Sequence, residues 1–528
     1  MPQKLDLTPF NRQMTARALI LGIIGSIVIT TSSMYISLRM GSLPWPTIFV
    51  AIFSMAVLKL LGNTNLNEIN VAHTAMSAGS MVAGGVAFTI PGIWILYPDA
   101  TIGLLPLLGV TLAGTLLGVL FTASLRLFFI EREALPFPIG IAAAQTVKTG
   151  DKGGKKAGTL FASIGATALL VALRDGAKIF PAAIAGFWFS PMAVAIGYII
   201  GPLYTGVWFL GAIAANWALV PLGLEFHWFA NPEIAAAFKN SLGIGLMIGT
   251  GLGILVKGIL RKAREIYAPL LKQGESGSKG FVAWSVILAG LAFCFTILAG
   301  IGVWAGLLTI LGVWITTAMA ASITGQTGIN PMEIFGILVL LAARALLPIG
   351  TIEAFMIAGV VAVACGLTGD VLNDFKSGYI LKTDPRAQLI AEAVGGVVGA
   401  IVSVIALFAM FKAFGAFGPG SELIAPQAYA VSTMISGLPH FPAFVTGVAI
   451  GFMLYIFNVP GMTVGLGVFL PTTISFTVFL GGLAAFIMKK LSPKTATDGI
   501  PAIIAAGALG GEGITGVTIA IIKVLTFG

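Results

Sequence analysis

The chain has 528 residues, of which 57% are hydrophobic and only 9% charged, and its mean hydropathy is +1.01. A soluble domain carries about 25% charged residues, so this composition excludes a soluble globular protein and requires most of the chain to face lipid or other apolar helices. The net charge of +9 is scattered over short loops, at Lys148 to Lys156, Lys257 to Lys279 and Lys489 to Lys494. That pattern excludes nucleic acid as a partner and reads as the positive-inside signature of cytoplasmic loops.

Apolar runs long enough to span, about 20 residues each, recur from Ala16 to the C-terminus, separated by Gly, Pro and short charged clusters. Strand signals are absent, so the spans are helices whose backbone groups bond within the segment. The expected fold is all-α, a polytopic membrane protein of about 14–16 transmembrane helical segments in two repeated halves, with re-entrant or broken helices. Cys294 and Cys365 lie in apolar runs, so no disulfide, metal site or cofactor is expected. The start through Arg17 leads into an apolar run without a cleavage pattern, so the first span is expected to stay in the mature protein.

In chain order, a first span runs to about Ile36 and a second from about Pro46 to Leu61. The third, from Asn65 to Leu96, carries Asn67, Asn70, His73, Thr74 and Ser77 at spacings that draw a polar stripe down one helical face, led by Glu68. A fourth runs from Ile102 to about Phe129. Leu135-Pro136-Phe137-Pro138 then introduces a segment too short to cross, expected to be re-entrant and to line a pathway. A span from Ala157 to Leu173 follows. Two crossings are expected next, the first beginning near Phe180 and the pair broken at Gly201-Pro202, followed by a span from Leu242 to Leu260.

Arg261 to Gly280 is the most polar interior stretch and divides residues 1–260 from 281–528. In the second half, spans begin near Phe281 and Ile301. Asn330-Pro331-Met332-Glu333-Ile334 repeats the Asn65-Leu66-Asn67-Glu68-Ile69 opening, and a span from Ile352 to Leu367 leads to a polar loop, Gly369 through Arg386. A second Pro-led short segment starts at Pro426. Met192-x-Val194-x-Ile196-Gly197 with Phe209-Leu210-Gly211 returns as Met462-x-Val464-x-Leu466-Gly467 with Phe479-Leu480-Gly481, 270 residues on, and a second break falls at Pro471. Duplication, broken helices and paired short segments point to a secondary transporter with its substrate site between repeats.

These residues also resemble a family, the oligopeptide transporters, which include the yellow stripe-like metal-chelate transporters. Asn67 through Gly79 looks like that family's Glu-led segment, and Leu135-Pro136-Phe137-Pro138 with Gly140 resembles its Pro-Phe-Pro segment. Gly369-Asp370 with Asp374, Lys376, Gly378, Tyr379, Pro385 and Arg386 is similar to its polar loop, and Gly511-Glu512 to its last-helix motif. The resemblance spans nearly the whole chain and implies a proton-coupled importer of peptides or metal chelates. Relatives commonly carry Gln where His73 stands and acidic residues where Ser80, Ile139 and Gln145 stand, while Glu333 replaces a small residue.

An ionised group in hydrocarbon costs at least about 2.5 kcal/mol, so each one requires a reason. Glu68 complements a helix N-terminus or lies on the pathway, and His73 either bonds a neighbouring helix or titrates near neutral pH. Glu333 and Arg344 share a helix face about 16 Å apart, too far to pair. Glu353 is a candidate partner for Arg344, and Glu392 reads as a carboxylate reaching the cytoplasmic interface. Glu512, among Gly510, Gly511 and Gly513 in an apolar run, is either a packing anchor or a proton carrier. Gln145 and Gln427 sit in the paired short segments, where amides bond a peptide backbone without adding charge. The substrate and proton pathway is therefore expected among Asn65, Glu68, Asn70, His73, Gln145, Asn330, Glu333, Arg344, Gln427 and Glu512.

The expected activity is secondary active, proton-coupled uptake of small oligopeptides by alternating access, with a metal-chelate carrier as the alternative and a gated channel further off. No Walker loop, HExxH or serine triad is present, so no enzyme is expected. Expected partners are a small peptide or metal-chelate substrate, protons and the lipid bilayer, with a homodimer left open. The chain is expected in the plasma membrane with both termini cytoplasmic.

Overall fold

The computed structural model describes residues 8–41, 43, 47–150, 155–181, 183–184, 187–259, 279–328, 330–437, 440–492 and 499–527, so the linker expected from Arg261 to Gly280 lies almost wholly outside the described residues. The principal helices of the first half are α1 (Ala16–Met40), α2 (Thr47–Leu60), α3 (Leu66–Ala87), α4 (Leu104–Arg126), α5 (Pro138–Gly150), α6 (Lys155–Val171), α7 (Pro191–Ile200), α8 (Pro202–Ile213) and α9 (Pro232–Gly253). Those of the second half are α10 (Lys279–Leu298), α11 (Val303–Thr327), α12 (Met332–Leu346), α13 (Thr351–Leu381), α14 (Pro385–Phe414), α15 (Pro426–Ser436), α16 (Phe441–Ile456), α17 (Gly461–Phe469), α18 (Thr472–Leu491) and α19 (Ile500–Phe527). Strand is confined, among the described residues, to a hairpin pairing Ala183–Ile184 with Phe187–Trp188. The chain is an all-α membrane protein. Among the described residues nine helices are long and apolar enough to cross a bilayer, or ten if the bent pair α15 and α16 counts as one span.

Several local details recur between the two halves. Leu66–Leu96, which is α3 with the short turn after it, and α13 are both 31 residues long. α1 ends at Gly41 with φ 62° and α11 at Gly328 with φ 75°, left-handed caps that glycine adopts without strain. The residue before each Pro-led short helix, Phe137 for α5 and Ala425 for α15, has φ +43°. Its backbone N–H is bonded in both cases, Phe137 to the Gly325 carbonyl of α11 at 2.9 Å and Ala425 to the Leu38 carbonyl of α1 at 2.7 Å. These details match α1 to α5 with α11 to α15.

That correspondence moves one expected pair. Glu333 begins α12, the counterpart of α2, whereas the counterpart of Glu68 is Glu353: each lies in the first turn of a 31-residue segment. Each also accepts a hydrogen bond from the N-cap residue of the helix two before it, Glu68 from the Thr15 hydroxyl at 2.6 Å and Glu353 from the Gly302 N–H at 2.8 Å. The shared Asn-x-x-Glu-Ile wording at Asn330 reflects what any helix start favours, a polar cap and an early carboxylate, and not duplication.

Two further expectations change. Near Phe180, where a helix is expected, Ala183–Ile184 pairs with Phe187–Trp188, and the first helix there begins at Pro191. The expected polar loop after Leu367 is helix: α13 continues through Asp370, Asp374 and Lys376 to Leu381. Asp370, Asn373, Asp374 and Ser377 recur at helical spacing, so they form one more polar stripe and do not end the helix.

The chain packs as two compact units, each drawn from both halves: unit 1 is Met1–Gly158, Lys262–Ala428 and Lys523–Gly528, and unit 2 is Thr159–Arg261 and Tyr429–Ile522. In unit 1, α3 packs against α1, α13 and α14, and α13 also against α4, α11 and α12. The most apolar window of α13 is wholly buried, so its polar groups must be satisfied by protein. In unit 2, α7 packs on α18 and α8 on α17. A Cβ on Gly197 would lie 1.8 Å from the Val478 carbonyl, and one on its repeat mate Gly467 would lie 2.0 Å from that of Trp208, so the repeated motif encodes close helix contact. The mates Phe209 and Phe479 stack with ring centroids 4.7 Å apart.

Candidate functional site

In unit 1 the polar stripe of α3 meets that of α13. Thr383, just past α13, donates to Asn67 Oδ1 at 3.0 Å and accepts from Asn70 Nδ2 at 3.0 Å, and Ser377 Oγ donates to Asn70 Oδ1 at 2.9 Å. One turn on, His73 Nε2 lies 3.1 Å from Asp374 Oδ1, and Ser77 Oγ donates to Asp374 Oδ2 at 2.7 Å. Asn70 and His73 thus sit where the stripe predicts, bonded across the helix pair. His73 Nδ1 has no partner among the described residues, so the ring meets its neighbours through Nε2, which faces the carboxylate.

Asp370 stands one turn before Asp374, on the same face of α13, and Glu392 approaches from α14. One oxygen from each of Asp370, Asp374 and Glu392 lies within 4.8 Å of the other two. All three residues and His73 are 0% exposed. Thr47 Oγ1 donates to Asp370 Oδ1 at 3.4 Å, but Asp370 Oδ2 and both oxygens of Glu392 receive no hydrogen bond from an N–H or hydroxyl group among the described residues, and the side-chain contact of Glu392 is with the carboxyl of Asp374. Lys376, the nearest cation along α13, turns to the Leu135 carbonyl at 2.8 Å. No Lys or Arg pairs with the three carboxylates among the described residues. Three carboxylates gathered in a buried interior with one imidazole hold charge only if a proton or another cation joins them.

The other expected residues divide sharply. Asn65 caps α3, accepting from the N–H groups of Asn67 and Glu68 at 3.0 and 2.9 Å. Glu68 is clamped by Arg17 Nε at 2.6 Å and Nη2 at 2.8 Å and by the hydroxyls of Thr15 and Thr64. Asn330 Nδ2 bonds the Cys365 carbonyl at 2.7 Å, leaving its buried Oδ1 without a partner among the described residues. Glu333 is buried in the first turn of α12, and Arg344 is half-buried in the last. Gln427 Nε2 donates to the Gly41 carbonyl at 2.9 Å, which ties α15 to the end of α1. The side chain of Gln145 lies outside the described residues.

Glu512 belongs to unit 2. Its carboxylate accepts from Arg174 Nη2 at 2.9 Å, from Ser190 Oγ at 3.0 and 3.1 Å and from the Met192 N–H at 2.9 Å. Ser190 is the N-cap of α7, so Glu512 fastens α19 to a helix N-terminus. Arg174 is buried and also bonds both oxygens of Asp175, at 2.7 and 2.6 Å. Asp370, Asp374 and Glu392 were assigned by sequence to a solvated loop and an interface. The signal that would have joined them is the helical spacing of Asp370, Asn373, Asp374 and Ser377, a stripe able to meet that of α3.

The family model for OPT oligopeptide transporter proteins matches residues 13–523. The chain belongs to the OPT family. A Haemophilus influenzae protein named "Putative oligopeptide transporter" is 25% identical to this OPT-family chain over 93% of it and 92% of the relative. The metal-nicotianamine transporter YSL2 of Arabidopsis thaliana is 25% identical over 30% of the chain, and YSL3 of the same plant 23% identical over 40%. Members of the OPT family are transporters, so this membrane protein is a transporter and not an enzyme.

Proposed function

We propose that this OPT-family chain is a secondary active transporter of the cell membrane, with cytoplasmic termini, that takes up small oligopeptides by alternating access coupled to protons. The observation that carries the reading is the cluster of Asp370, Asp374 and Glu392, which is fully buried and has no Lys or Arg counter-charge among the described residues. A cluster that needs a mobile cation to be neutral changes charge whenever that cation leaves, and a change of charge inside apolar protein has enough free energy to bias one arrangement of packed helices over another. Peptide is favoured as substrate because the likeness to the Haemophilus protein runs through nearly the whole of both chains. The likeness to the metal-nicotianamine transporters supports a second reading, a metal-chelate carrier, over a smaller share.

The test is uptake into proteoliposomes with an imposed pH gradient, acid outside, comparing radiolabelled tri- and tetrapeptides with an iron–nicotianamine complex. Saturable accumulation of peptide above the external concentration is expected, and it should collapse when a protonophore is added. Accumulation of the chelate alone would replace the first substrate by the second. Downhill, non-saturable flux indifferent to pH would sink the carrier reading.

A further inference from the structure

We propose that Asp370, Asp374 and Glu392 form a binding site for one hard inorganic cation of the size of Na⁺ or Ca²⁺, held between α13 and α14 within unit 1. This deepens the reading of the cluster as the coupling centre and rests on that reading for its role in transport.

The donor set is three carboxylates, the oxygen ligands that hard cations select over soft ones. The spacing also fits a single ion. Calcium–oxygen bonds are about 2.3–2.6 Å, so two ligands on opposite sides of one ion lie up to about 5 Å apart. One oxygen from each carboxylate already lies within 4.8 Å of the others, without any helix moving. Sodium has nearly the same radius and shares the chemistry.

A cluster of acids alone would not make a site. What points to a ligand here is Glu392: it is 0% exposed, neither of its oxygens receives a hydrogen bond from an N–H or hydroxyl group among the described residues, its side-chain contact is with the carboxyl of Asp374, and one of its oxygens lies within the group formed by the other two acids. Asp370 Oδ2 is a third buried oxygen in the same condition. Buried carboxylate oxygens left without donors are rare, because an unsatisfied charged acceptor loses its hydration with nothing in return. By contrast the buried Glu68 and Glu512 are each saturated with donors. The groups that face the cluster from α3 and α2 bond its carboxylates directly, His73 and Ser77 at the two oxygens of Asp374 and Thr47 at Asp370 Oδ1, and so orient them. Lys376 faces away to Leu135, leaving the cluster's charge for the ion.

The experiment is equilibrium binding to the purified full-length protein in detergent, using ⁴⁵CaCl₂ and ²²NaCl separately, with choline chloride holding ionic strength. Saturable binding of one ion per chain is expected for one of the two, and which one saturates identifies the source. Glu392→Gln and Asp370→Asn should each weaken that binding at least about tenfold, since ligand charge sets affinity in such sites. Their melting temperatures without the ion report whether they are folded. If the wild-type protein binds neither ion saturably, or if folded variants bind as tightly as wild type, the proposal is overturned. Proton-driven uptake in buffers free of Na⁺ and chelated of Ca²⁺ separates the two readings. Uptake without ion binding removes this site and leaves the transporter, while ion binding without uptake of peptide or chelate does the reverse.

Discussion

Replacing Glu512 by Gln distinguishes a clamp from a proton carrier. Glutamine keeps one acceptor oxygen but sets an NH₂ donor against either Arg174 or the Met192 N–H, both of which also donate, so one buried donor is orphaned whichever way the amide turns. Such an orphan costs about 1–3 kcal/mol. Removing one charge of a buried pair costs about 3–5 kcal/mol when the other is stranded, but Arg174 keeps both oxygens of Asp175, which holds the total near the low end, about 3 kcal/mol. For a folding unit of 150–250 residues, at about 2–4 °C per kcal/mol, the melting temperature in detergent should fall by about 6–12 °C. Below that temperature Glu512→Gln should still show pH-gradient-driven uptake in proteoliposomes. An unchanged melting temperature together with loss of gradient-driven uptake would refute the argument and make Glu512 the proton carrier.

Gly395→Val should prevent α3 and α14 from meeting, because even a Cβ there would lie 1.9 Å from the Ala75 carbonyl; loss of the monodisperse peak in size-exclusion chromatography checks it. Arg17→Ala strips Glu68 of its guanidinium and leaves the Gly62 and Asn63 carbonyls without that donor. With Arg17 one-third exposed, solvent screening reduces the loss to about 1 kcal/mol, read as a small fall in melting temperature, and Arg17→Lys should recover part of it. His73→Leu removes a bond to the buried Asp374 and should cost about 1–3 kcal/mol, whereas His73→Gln retains an N–H donor and should melt close to wild type. Equal melting temperatures for the Leu and Gln variants would mean that His73 does not hold Asp374.

The fold was legible where a single physical signal sufficed. The short helices after Pro138 and Pro426, the break at Gly201 and the repeat of the Gly197 motif follow from proline, glycine and length. The polar stripe of α3 was legible because its partners on one helix recur at helical spacing. The stripe of α13 was not, because a charged run after sixteen or so apolar residues reads as the end of a span when the neighbours are unknown. Satisfaction of Asp374 comes from Ser77 and His73, some 300 positions away, and no local pattern records it. Glu333 misled for the opposite reason: helix-start chemistry is common enough to imitate a repeat. Glu512 was correctly singled out as central in its helix, but Arg174 read as the end of a span, so the donor set that clamps it was invisible.

The buried carboxylates therefore fall into two physical kinds, and the difference decides what each can do. Glu68 and Glu512 lie against an arginine and hydroxyl or backbone donors at helix starts, so each is held by its own set of donors and its loss is felt as stability. Asp370, Asp374 and Glu392 share one small space with an imidazole and two hydroxyls, so their charge is set by whatever cation reaches them. On the proposed reading, only the second kind reports the presence of an ion to the helices that carry it. The cluster is also confined to one half of the duplicated fold: taking α3 and α13 as aligned, the positions of Asp370 and Asp374 in α13 are held by Gly85 and Thr89 at the end of the α3 segment. Gly85 there lies against the backbone of Val363, so that half uses the position for close packing. The three buried carboxylates therefore stand in one half alone, while the other half spends the matching positions on packing.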